Sequence, residues 1–125
     1  MYWNELSGSI FLGKVFSAPV EISQIDIFEI KIDREAATVI IIFDLVDSLP
    51  DIPVPKWPKY FNRCRCGINC VGTSELLVSG ISVEMLAHIE IEKNDTGEVL
   101  VKILGPNLKI SLQCMHVQFT GPSVY

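Results

Sequence analysis

The run Thr38-Val-Ile-Ile-Ile-Phe-Asp-Leu45 is the most β-branched in the chain and is apolar at alternate and intervening positions alike. Branching at Cβ favours the pleated backbone, and apolar side chains on both faces predict a central strand, covered by sheet below and by helix above. Upstream, Asp33-Arg-Glu-Ala reads as a turn, and from Ser23 onward the period is two. Ile25 and Ile27 share one face. Ile30 and Ile32 resume the alternation after a one-residue slip at Phe28 and Glu29, the pattern of a β-bulge.

Further upstream the spacing changes. Between Asn4 and Phe16 the apolar residues stand at 6, 10, 11, 12, 15 and 16, which predicts one short amphipathic helix ending before Pro19 and laid against the sheet.

Downstream, Ser48-Leu-Pro-Asp-Ile-Pro-Val-Pro-Lys-Trp-Pro-Lys-Tyr60 interrupts the alternation with closely spaced prolines. Each proline fixes φ and removes a backbone donor, so this stretch reads as an ordered, extended connection rather than as strand or helix. Beyond it, Cys64, Cys66, Ile68 and Cys70 alternate with Arg63, Arg65 and Asn69 in a strand. A second strand spans Glu75 to Ile81, with Gly72-Thr-Ser as the turn pairing the two. A meander completes the chain: Leu86 to Glu92, a turn at Asn94-Asp-Thr-Gly97, Val99 to Leu104, a turn at Gly105-Pro-Asn107, then Leu108 to Cys114. Ile89 and Ile91, Val99, Val101 and Ile103, and Leu108, Ile110 and Leu112 point inward, and a slip at Met115 leads into Val117 and Phe119. With no helical crossovers between strands, the pairing is antiparallel. The expected fold is α+β and mainly antiparallel β: about eight strands in a meander-like sheet or flattened sandwich, with one short N-terminal helix, in a single domain over residues 1–125.

Composition bounds the function. The chain is 49% hydrophobic and 20% charged, so it should pack a core of its own. Its longest apolar run, Val39 to Phe43, is far short of a membrane span. The amino terminus has no basic start and no apolar stretch of the kind a secretion signal carries, so a cytoplasmic protein is expected. A net charge of −5 and a pI near 4.9 disfavour binding to nucleic acid by phosphate neutralisation. That acidity suits either plain solubility or a basic partner.

Few residues suggest chemistry. Cys64, Cys66 and Cys70 fall at strand spacing rather than as C-x-x-C pairs, so they read as buried packing residues, with no metal and no cofactor expected. His88 and His116 occupy outward slots of their strands. No Gly-x-Ser-x-Gly elbow, no thiol in a polar turn and no glycine-rich phosphate loop is present, and no catalytic residue is assigned. A binding surface is the better reading. Asp44, Asp47 and Asp51 bracket the exit of the central strand and could form a negative lip, with Trp57, Tyr60 and Phe61 as interface aromatics and Lys56 and Lys59 on the rim. Trp57 could equally turn inward and plug the end of the sheet. Two other classes stay open: a small-molecule or lipid carrier with a pocket lined by Cys64, Cys66 and Ile68, and a structural subunit of a larger complex.

Trp3, the strand end Phe43-Asp-Leu45 and above all Leu49-Pro-Asp-Ile-Pro-Val-Pro-Lys-Trp57 carry a resemblance to the immunity protein 50 family of bacterial polymorphic toxin systems. The likeness runs from Trp3 to about Val124. It departs from the family pattern in placing cysteines at 64, 66 and 70, and Ile81 after Gly80 where an aromatic is common. The resemblance implies a stoichiometric inhibitor of a cognate toxin, with no catalytic residues to carry over. A toxin with a basic cleft, such as a nuclease, would match the acids, and Asp44, Asp47, Asp51, Trp57 and Tyr60 are the expected contacts.

Overall fold

Every residue from Met1 to Tyr125 is described in the structure, a computed structural model. Helix α1 covers Ile10–Val15, and eight strands follow: β1 Gln24–Asp33, β2 Thr38–Leu45, β3 Cys64–Val71, β4 Glu75–Ser79, β5 Leu86–Lys93, β6 Val99–Leu104, β7 Lys109–Cys114 and β8 His116–Val124. They form one antiparallel sheet in the order β4-β7-β6-β5-β1-β2-β3-β8. The α+β, mainly antiparallel reading therefore holds. No helix is long and apolar enough to cross a membrane.

The central run is an interior strand, paired with β1 on one side and β3 on the other. Val39, Ile41 and Phe43 point into the core, while Ile40 and Ile42 on the opposite face are only half-buried. The expected covering of both faces is not found, since α1 packs mainly beside β8. The bulge in β1 falls where the alternation slips, between Ile27 and Glu29, and turns Phe28 outward. Ile32 resumes the alternation but is exposed: β5 pairs with β1 only over Gln24–Asp26, so no strand flanks Ile32 on that side, while Val39 opposite it in β2 is buried.

One expectation fails outright. The short link 72–74 does not make a hairpin of β3 and β4: β3 pairs with β2 and β8, and β4 pairs with β7 alone. In a flat sheet β3 and β4 would stand six strand spacings apart, about 29 Å at roughly 4.8 Å each. The link from Val71 to Glu75 reaches at most about 14 Å. Only Met115 separates β7 from β8, which are equally far apart in the strand order. The sheet must therefore curl until its two ends meet. At that corner β3 runs into β4 and β7 into β8, so that two bent ribbons pair along their length, from Cys64↔Val124 through Val71↔His116 to Glu75↔Gln113 and Ser79↔Lys109. Met115 N–H donates to Val71 O (3.0 Å) and Ser74 N–H to Gln113 O (2.9 Å), carrying the ladder through the bend.

Curling encloses one apolar cluster of 24 residues. The inward positions read from the meander are there: Ile89 and Ile91, Val101 and Ile103, Leu108, Ile110 and Leu112, Val117 and Phe119, with Val99 packed at the margin. Cys64, Cys66, Cys70 and Cys114 are buried among them as free thiols. Trp3 fills the centre, stacked on Phe43 at 5.0 Å between ring centroids and tilted against Phe119 at 5.8 Å.

The N-terminal segment is less helical than its spacing predicts. It divides into a 3-10 turn, Trp3–Glu5, and α1, because Gly8 takes a left-handed φ of +83° and Ser9 Oγ donates to the carbonyls of Asn4 (2.8 Å) and Leu6 (2.7 Å). Leu12 and Val15 of α1 are buried. Ser7 pairs with Gln118, and Ser7 O accepts from Phe119 N–H at 2.7 Å, so this segment covers the outer edge of β8.

Candidate partner-binding surface

The curled sheet has two unlike ends. The turns at 34–37, 72–74 and 94–98 are short and lie at one end with the bend at Met115. At the other end β2, β4 and β6 finish, and from it emerge the proline-rich connection 46–63, the loop 80–85 and the turn 105–108. Adaptable recognition is built on such loops when a stiff scaffold presents them.

The proline-rich connection is held down at several points. Ile52 N–H donates to Val15 O (3.0 Å) at the end of α1. Asp51 accepts from the Ser17 N–H (2.9 Å) and from the Ser17 hydroxyl, and these bonds hold its carboxyl below the usual carboxylate range. Trp57 lies half-buried, its ring edge-on to Phe11 (5.8 Å) and Phe61 (6.0 Å). It neither plugs the sheet nor stands free; it clamps the connection onto α1. At the far end Asn62 N–H and Arg63 N–H both donate to Tyr125 O, at 3.0 and 3.1 Å. Tyr60 is 84% exposed, with Lys59 Nζ 5.7 Å from its ring centre.

The three aspartates of the expected lip have three different settings. Alternation puts Asp44 on the outer face of β2, yet it is only 4% exposed. Its carboxylate accepts from Arg65 Nε (3.1 Å) and from the Tyr125 hydroxyl (2.6 Å), and Arg63 Nη1 lies 3.7 Å away. Arg65 in turn donates to the Tyr125 oxygen (2.6 Å) and is stacked between the rings of Phe28 (3.8 Å to the centroid) and Tyr125 (4.6 Å). Loss of water around the Tyr125 phenol, together with its bond to Asp44, raises its pKa. Asp44 is thus the hub of a closed ionic cluster and is not presented at the surface. Asp51 is exposed but engaged with Ser17. Asp47 alone faces open space, on a backbone with φ of +59°, a left-handed geometry that Asp tolerates better than most residues.

Asp47 lines an open cleft of about 530 Å³ together with Asp26, Arg63, Val83, Glu84 and Leu86. Three carboxylates therefore meet one guanidinium there, and that guanidinium already lies 3.5 Å from Asp26. Beside the acids stands an apolar tip: Val83 is wholly exposed, Ile81 is 78% exposed, and Leu86 and Leu104 are about half exposed. Gly80 makes the tip possible. At φ +87° its α-hydrogen faces the Asn107 carbonyl so closely that a Cβ would lie 1.5 Å from that oxygen, and the chain leaves β4 sharply into Ile81.

Asp26, Val83 and Glu84 did not emerge from the sequence reading. The strand was expected to run on through Ile81, which hid the loop. The available signal was Gly80, followed by apolar Ile81 and Val83 that no inward face absorbs.

No group of three or more His, Cys, Asp or Glu side chains is arranged to hold a metal ion. The interior is occupied by Trp3, Phe43 and Phe119, and Cys64, Cys66 and Ile68 are sealed in the core rather than lining a pocket. A hydrogen bond with Cys64, together with burial, raises the thiol pKa of Cys66, and a hydrogen bond with Cys114, together with burial, raises that of Cys70; both stay protonated.

Comparison with known proteins gives one assignment. The family model of immunity protein 50 matches residues 8–125, nearly the whole chain, and the chain belongs to that family. No curated protein and no solved structure gives a match.

Proposed function

We propose that this protein neutralises a cognate bacterial polymorphic toxin by forming a stoichiometric complex with it, in the cytoplasm of the cell that makes both, and catalyses nothing itself. Membership of the immunity protein 50 family supports an immunity role and a toxin as partner. The observation that carries the mode of action is the end of the sheet from which 46–63 and 80–85 emerge. There a fully exposed Val83 stands beside the carboxylates of Asp26, Asp47 and Glu84.

An apolar anchor with a charged rim is how specific surfaces divide their labour. The anchor supplies most of the energy, and the charges guide encounter and reject wrong partners. Carboxylates in excess of guanidinium suit a basic partner surface such as the cleft of a nuclease. A complex of ordinary size covers about 1,200 to 2,000 Å², so contact would spread from the cleft onto Asp51 and Tyr60 of the connection. Trp57 holds that connection in place, and Asp44 supports the sheet beneath it. Both would influence binding mainly through the position of their neighbours.

The test starts from the reading frame directly upstream, where a large secreted protein with a variable C-terminal domain is expected. That C-terminal domain, produced alone, should arrest growth, and co-expression of this protein should restore it through a 1:1 complex. Val83→Asp should abolish rescue and Asp47→Asn should weaken it, each with melting temperature nearly unchanged, since Asn adopts a φ of +59° as readily as Asp. Rescue by both variants at wild-type levels would place the contact elsewhere, and failure of the wild type to bind would remove the immunity reading for that toxin.

A further inference from the structure

The two outer edges of the sheet are finished differently. The edge of β8 is covered by the N-terminal segment through Ser7. Strand β4 has β7 on one side and no strand on the other, so alternate backbone N–H and C=O groups along Glu75-Leu-Leu-Val-Ser79 have no partner in the ladder. Soluble proteins usually guard such an edge with lysine, proline, an inward charge or a bulge. β4 carries none of these. Its one charge is Glu75 at the first position, while Leu77 is 51% and Val78 36% exposed.

We propose that β4 is a self-pairing edge, through which two copies of the chain join their sheets antiparallel about a two-fold axis centred on Leu77. The sequence of the strand favours this occupant. In the register that pairs all five residues, Leu77 faces Leu77 of the second copy, Leu76 faces Val78, and Glu75 faces Ser79 at both ends. Apolar side chains meet apolar ones, and each carboxylate meets a hydroxyl. Sliding the copies so that Glu75 faces Glu75 sets like charges opposite each other and leaves most of the strand unpaired, which is unfavourable. The two-fold is what makes the strand complementary to itself, since the same patch serves both copies. Five residues make a small contact, so the association is expected to be weak and concentration-dependent.

Sedimentation velocity on the wild-type chain from about 10 μM to about 1 mM spans the range in which so small an interface associates. The fraction of dimer should rise across it, and Leu77→Lys, which keeps an exposed side chain and places two cations opposite each other, should stay monomeric with an unchanged melting temperature. Paired side chains of this kind stand about 4.5 to 5.5 Å apart at Cβ. Leu77→Cys should therefore form a disulfide-linked dimer under mild oxidation, whereas Thr96→Cys, in the turn at the opposite end, should not. A wild-type chain monomeric throughout overturns the proposal, as does a dimer that survives Leu77→Lys or a Leu77→Cys that couples no faster than Thr96→Cys. If the wild type is monomeric and Leu77→Lys loses toxin protection, the edge accepts a strand of the toxin, and self-pairing is wrong.

Discussion

Asparagine at position 44 and asparagine at position 47 should behave oppositely, although the two aspartates are three residues apart in the chain. Asp44→Asn keeps the volume and one acceptor but removes the charge that Arg65 meets at 3.1 Å and that accepts the Tyr125 hydroxyl's hydrogen bond at 2.6 Å. Hydrogen bonds to charged groups contribute about 1.5 to 3 kcal/mol each, and stripping one partner from a fully buried pair costs about 3 to 5 kcal/mol. Arg65 keeps about a quarter of its side chain in water and retains its two aromatic neighbours. The net loss should therefore be about 2 to 3 kcal/mol. With an unfolding entropy of about 2.1 cal/mol/K per residue, or about 0.26 kcal/mol/K for the whole chain, the melting temperature should fall by about 8 to 12 °C. Asp47 makes no side-chain hydrogen bond of comparable burial, so Asp47→Asn should stay within about 0.5 kcal/mol and about 2 °C of wild type. Calorimetry on the three proteins measures the first pair of numbers. Titration of the toxin well below every melting temperature measures the second effect: Asp44→Asn should bind nearly as the wild type does, and Asp47→Asn should bind at least tenfold more weakly. An Asp44→Asn protein that melts like the wild type yet loses binding would show that Asp44 is a contact and that the ionic cluster does not brace the sheet.

Three further outcomes follow from the interior and the connection. Trp3→Ala removes a fully buried indole stacked on Phe43 and Phe119 and should cost about 3 to 5 kcal/mol, a fall of roughly 12 to 19 °C in melting temperature by calorimetry. Cys66 and Cys70, buried and held as thiols, should resist a colorimetric disulfide reagent in the native protein and react once guanidinium unfolds it; rapid native labelling of either would contradict the packing described. The pKa of Asp51 is depressed in the folded state by Ser17, so its contribution to stability is complete above the unfolded-state value near 3.9 and fades as pH falls through the lower folded value. Ser17→Ala should therefore raise the Asp51 titration midpoint followed by carboxyl NMR, and an unmoved midpoint would deny the hydroxyl any role.

The inner face of nearly every strand was legible in the sequence, because a residue's side of a sheet is settled by counting in twos. The bulge at Phe28 was legible for the same reason: it is the place where the count slips. The partner of β4 was not. Gly72-Thr-Ser has the composition of a hairpin turn, and nothing within those residues says whether the chain reverses or merely bends. That depends on which backbone edges remain free after β2 and β8 have taken both sides of β3, and those strands lie about thirty residues before it and fifty after it. Asp44 was misread in a similar way. Alternation placed it correctly on the outer face, but outer does not mean exposed when Arg65 and Tyr125, 81 residues away, close over it. Trp57 was undecidable because its partners, Phe11 and Phe61, come from an N-terminal helix and the far end of its own connection.

The bend that hid the topology also bears on how the protein would recognise a partner. Two long ribbons folded at one corner bring that end down to short turns and a one-residue link, and leave the long connections to the other. Binding through loops normally pays for ordering them. Here much of that ordering is already complete in the free protein, since prolines fix the backbone of 46–63 and Ile52, Asp51, Trp57 and Asn62 tie it to α1 and to the chain end. Outside that connection the cleft draws on Val83 and Glu84 of loop 80–85 and on Asp26 and Leu86 at the ends of β1 and β5. A surface prepared in this way can bind tightly over an ordinary area, because little of the contact energy is lost to ordering, and tight one-to-one binding is what an inhibitor without turnover requires.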